Sequence, residues 1–74
     1  MSDLVKRSLS LSGHRTSVAL EPEFWAVLDQ MAERQKLNFS ALVASIDAKR
    51  TPDRPLASAL RVAALTTATR PEET

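Results

Sequence analysis

Cysteine is absent from the 74 residues, so no disulfide can staple the chain and no thiolate can hold a metal. Histidine occurs once, at His14, with no carboxylate or thiol at partner spacing, which leaves zinc without a ligand set. No metal and no cofactor are expected. Glycine also occurs once, at Gly13, which excludes a glycine-rich phosphate loop. Apolar runs last only a few residues, too short for a membrane span, and none follows Lys6 and Arg7 as a secretory signal requires. A cytoplasmic location is the expectation. Paired carboxylates and nucleophile–base constellations are missing as well, so an enzyme is not expected. A chain this short and unstapled sits near the lower limit for a self-sufficient core, and oligomerisation is the remaining source of stability.

The charges that are present sum to only +1, but they are unevenly placed. Lys6, Arg7 and Arg15 make the first segment basic, residues 21–36 are net acidic, and Lys49, Arg50, Arg54 and Arg61 restore positive charge. Residues 1–13 alternate Leu9 and Leu11 with serines. They suit either a hairpin strand turning at Ser12-Gly13 or a mobile N-terminal arm, and the arm is the preferred expectation. "RTSVAL", residues 15–20, alternates as a strand, with Thr16, Val18 and Leu20 on one face and Arg15, Ser17 and Ala19 on the other.

Pro22 suits a first helical position, and Glu21 and Glu23 suit the positive end of a helix dipole. A first helix is expected to about Gln35 or Lys36, with Phe24, Leu28 and Met31 as its apolar stripe, widened by Trp25. Asn38 reads as the N-cap of a second helix, "FSALVASIDAKR", whose apolar side includes Leu42, Val43 and Ile46. The prolines of "TPDRP" break the chain before a third helix, roughly Pro55 to Thr67, with Asp53 as the expected cap. The expected organisation is an arm over 1–13, a core over 14–50, an additional helix within 51–68 and a disordered tail over 69–74.

A lone strand cannot satisfy its own ladder, and two short helices cannot bury Val18 and Leu20 beside it. A two-fold homodimer with antiparallel strand pairing solves both problems. Val18, Leu20, Phe24, Trp25, Leu28, Leu42 and Ile46 are then its shared core. "RTSVAL", "EPEFWAVLDQMAERQ" and "NFSALVASI", in this order, resemble the ribbon-helix-helix DNA-binding family of small bacterial and phage repressors. "SGHRTSVALEPEFW" followed by "SALR" is similar to a bacterial subgroup with an added C-terminal helix.

The resemblance implies a mainly α fold, in which one short strand pairs between subunits and three helices follow. It implies sequence-specific binding of double-stranded DNA and transcriptional regulation, by repression at the family level. The outward strand residues Arg15, Ser17 and Ala19 are then the base readers in the major groove, which admits a two-stranded ribbon. Ala19 departs from the larger polar side chain common there and carries less base information. The start of the second helix, with the amides of Phe39, Ser40 and Ala41, would clamp a phosphate. Lys36 beside it, and Lys6 and Arg7 on the arm, are expected to add phosphate contacts. The alternative is a dimeric protein-interaction module, or an antitoxin without strong DNA specificity, binding a protein partner through the C-terminal helix.

Overall fold

The computed structural model describes residues 3–69. Two strands, β1 (Val5–Leu11) and β2 (His14–Leu20), form an antiparallel hairpin, and the helices α1 (Pro22–Gln35), α2 (Phe39–Lys49) and α3 (Leu56–Thr69) follow. Residues 70–74, most of the expected tail, lie outside the described residues, and Thr69 is the last residue of α3.

The arm expected over residues 1–13 is a strand from Val5 onward. Three local features explain the difference. Ser12 and Gly13 both have positive φ, 50° and 81°, the backbone sense of the two-residue turn that matches strand twist. Leu9 and Leu11 alternate in phase with Thr16, Val18 and Leu20, so both strands present apolar side chains to one face of the hairpin. Finally, the Trp25 indole donates Nε1–H to the Val5 carbonyl at 2.7 Å, and Arg7 is bound to α1, so the N-terminal strand is tied down at two points.

Within the chain, then, the ladder partner of β2 is β1, in the register Leu11↔His14 to Val5↔Leu20. Nor does burial of Val18 and Leu20 need a second chain. They join Leu9, Trp25, Leu28, Leu42, Val43, Leu60 and Ala64 in one core. The third helix expected from the sequence, α3, supplies what two short helices could not: it packs on α1, α2 and β2, while α2 packs on β1. Of the residues expected in a dimer core, Val18, Leu20, Trp25, Leu28 and Leu42 are buried by their own chain, and Phe24 and Ile46 pack against that cluster half-buried.

Pro22 opens α1, and the Glu21 carbonyl accepts from the amides of Phe24 and Trp25 at 3.0 and 3.3 Å. Lys36 ends the helix in the left-handed region at φ 58°, and Leu37 N–H reaches back to the Ala32 carbonyl at 2.9 Å. That is a Schellman-type stop, which turns the chain sharply toward α2. Asn38 caps α2 as expected, its side-chain oxygen accepting from the Ala41 amide at 2.8 Å. At the start of α3 the Pro55 carbonyl accepts from the Ala59 amide at 3.0 Å, so the chain enters the helix there. Asp53 lies in the preceding turn, two residues too early to cap it.

Candidate nucleic-acid interface

Strand alternation divides the hairpin into two faces. Leu9, Val18 and Leu20 are buried on the inner one. The outer face carries Lys6, Ser8 and Ser10 from β1 and Arg15, Ser17 and Ala19 from β2, paired across the ladder as Lys6↔Ala19, Ser8↔Ser17 and Ser10↔Arg15. All but Ala19 are exposed, and Ala19 is half-buried. Neither Lys6 nor Arg15 forms an ion pair among the described residues. Two cations at opposite corners of a small hydroxyl-rich surface offer donors with little steric bulk between them.

The structure brings the three expected base readers onto this surface and adds Lys6 from the neighbouring strand. It also adds Ser8 and Ser10, which sequence reasoning passed over. The signal for them was present: with the turn placed at Ser12-Gly13, even-numbered residues of β1 fall on the face of Arg15 and Ser17.

Arg7 is one residue out of phase with Lys6 and lies on the other side. Its guanidinium donates both terminal nitrogens to the Asp29 carboxylate at 3.0 Å and stacks 4.6 Å from the Trp25 ring centre and 5.1 Å from that of Phe39. Trp25 and Phe39 themselves meet at 5.8 Å in a tilted pair. Hydrogen bonding to Asp29 raises the Arg7 pKa above its ordinary value, against the opposing effect of burial, and the Asp29 charge adds to the increase. Expected as a phosphate contact on an arm, Arg7 is instead a clasp joining β1 to α1 and α2. His14, at the turn end of β2, is exposed.

At the start of α2, the Ala41 amide expected to face a phosphate is already occupied by Asn38. The amides of Phe39 and Ser40 have no partner among the described residues, as first-turn donors of a helix ordinarily do not. Lys36 and Ser40 are exposed nearby in sequence, and the Phe39 ring is turned in against Trp25. This end therefore offers two free N–H donors and one adjacent lysine, a smaller anion site than the sequence suggested.

Among the described residues, no group of three or more metal-ligating side chains comes together, and no helix is long and apolar enough to cross a membrane. Neither a curated protein nor a solved structure matches the chain. A family profile described as a ribbon-helix-helix domain matches residues 4–68. That span includes β1 and nearly all of α3 as well as the strand and two helices that suggested the family. The chain belongs to the ribbon-helix-helix domain family.

Proposed function

We propose that the protein is a small transcriptional regulator that binds double-stranded DNA in a sequence-dependent way, as a homodimer, through the outer face of its hairpin. Members of the family are generally DNA-binding regulators and generally bind as dimers. The observation that carries the reading for this chain is the outer face itself: Arg15 and Lys6 project from a ribbon whose other face is locked into the core.

Hairpin geometry suggests how two copies meet. Pairs of an antiparallel ladder alternate between bonded and non-bonded, beginning with the bonded pair at a two-residue turn, here Leu11 and His14. Arg15, Ser17 and Ala19 thus direct their backbone N–H and C=O groups to the open edge of β2, where no strand pairs among the described residues. A second copy added there about a two-fold gives the order β1-β2-β2-β1. Four strands spaced about 4.8 Å apart are wider than the major groove, about 12 Å. The central pair of β2 strands then enters the groove, and each β1 rides at its wall.

This arrangement assigns roles by position. Arg15 donates to guanine O6 and N7, Ser17 donates or accepts, and Ala19 packs on a thymine methyl. Lys6, on the flanking strand, meets the phosphates, together with the free amides of Phe39 and Ser40 and the Lys36 ammonium. The test is a gel shift against DNA from upstream of the protein's own gene at two salt concentrations. Loss of a bidentate base contact predicts that Arg15→Ala weakens specific binding by roughly 5- to 150-fold, corresponding to about 1–3 kcal/mol. Lys6→Ala lowers affinity for all sequences and flattens the salt dependence. Unaltered specific affinity in a folded Arg15→Ala protein would refute the ribbon reading.

A further inference from the structure

A concavity lies among the helices, and none of its lining residues belongs to the hairpin. It is a trough of about 460 Å³, open on one side, floored by Met31, Leu42, Ile46, Ala59 and Ala63. Ala59 and Ala63 are one helical turn apart on α3, so the floor of the trough there is close to backbone. Val62 lines one wall, and Leu65, on the neighbouring turn of α3, extends the apolar surface beyond the trough; the two are 45% and 58% exposed.

The polar end of the trough has one sign of charge. Lys49, Arg50 and Arg54 line it, all from the end of α2 and the turn before α3. Asp47 holds Arg50 at 2.8 Å, and a second hydrogen bond of 2.7 Å runs from Arg50 to the Arg54 carbonyl, which fixes the guanidinium in place. Lys49 and Arg54 have no carboxylate partner among the described residues.

We propose that this trough docks an amphipathic helix of a partner protein, carrying apolar residues on one face and acidic residues along the edge that meets Lys49 and Arg54. Three observations select this occupant. The open side and the apolar shoulder at Val62 and Leu65 would leave much of a small ligand in water, whereas small-molecule sites bury most of their ligand. A helix presents its own polar back to solvent and covers such a shoulder with anchors at helical spacing. Lys49 and Arg54, without a carboxylate partner among the described residues, complement acidic side chains along the edge of that helix.

The test is a selection of displayed helical peptides on the full-length chain, with leucine fixed at i, i+3, i+4 and i+7 and all other positions randomised. A chain carrying Val62→Glu serves as counter-selection. Val62 is exposed, so this variant keeps the fold, which circular dichroism checks. The expected result is enrichment of peptides with aspartate or glutamate along one edge. Their affinity should fall about tenfold for Lys49→Glu and again for Arg54→Glu, and weaken with added salt. Enrichment without acidic bias, or none above the Val62→Glu chain, overturns the proposal. So does a dimer in sedimentation that Val62→Glu dissociates, or saturable one-to-one binding of decanoate without peptide enrichment.

Discussion

Arg7 separates two physical pictures of the N-terminal strand, and its replacement by alanine distinguishes them. In the structure it makes a bidentate pair with Asp29 and lies over Trp25 and Phe39. The side chains of the ion pair are 35% and 51% exposed, so solvent screening limits the pair to about 1 kcal/mol even with good geometry. Stacking on two rings at partly exposed positions contributes about 0.5–1 kcal/mol per ring, and the parts are not independent. Together they amount to ~2 kcal/mol, which for a domain of this size lowers Tm by about 8–16 °C. Thermal unfolding followed by circular dichroism measures this directly. A double-mutant cycle with Asp29→Ala isolates the pair, with an expected coupling of about 0.5–1 kcal/mol. Arg7→Lys keeps the charge but loses the planar fork and the stack, so it should recover only part of the loss. DNA affinity, measured below the transition, should change little. The opposite pattern, an unmoved Tm with weakened DNA binding, means that Arg7 works on an arm and the clasp does not hold in solution.

The remaining predictions concern α3, the hairpin turn and acid stability. Leu60 is fully buried where α3 meets the core, so Leu60→Ala should cost about 2–5 kcal/mol in urea unfolding, and a loss under about 1 kcal/mol would remove α3 from the core. Gly13→Ala meets no atom within 4 Å of the added methyl, so its effect is purely the left-handed backbone, about 1–2 kcal/mol. A stability equal to that of the parent chain would show that the turn is not held in that conformation. The Glu21 carboxyl is held below its ordinary value of 4.5, chiefly by its own backbone N–H and next by the Arg61 side chain. Because its folded pKa is depressed, the stability it contributes is complete above about pH 4.5 and is lost as pH falls through the lower folded value. Glu21→Gln should therefore flatten the fall of Tm below that pH. Parallel Tm–pH curves for the two proteins would discount the Glu21–Arg61 pair.

Helices were legible in the sequence because their signals are local. Pro22 marks the start of α1, Asn38 caps α2, and the prolines after Arg50 separate α2 from α3. The strand over residues 15–20 and the outward placement of Arg15, Ser17 and Ala19 follow from period-two alternation alone. Asp53 misled as a cap because the chain enters α3 only at Pro55, after an intervening turn.

What the sequence by itself determined is the set of elements and which residues share a face, since periodicity, caps and turn residues act over a few positions of the chain. The tertiary structure alone decided that β1 closes the ladder of β2 and that Arg7 turns inward. Each of those outcomes depends on groups far apart in sequence: Arg7 meets Asp29 across 22 residues, and Arg61 meets Glu21 across 40. A cation at the surface of a strand has no local preference between a phosphate and a carboxylate. The packing of α1 and α2 beside β1 put Asp29, Trp25 and Phe39 within its reach, and that juxtaposition made the choice.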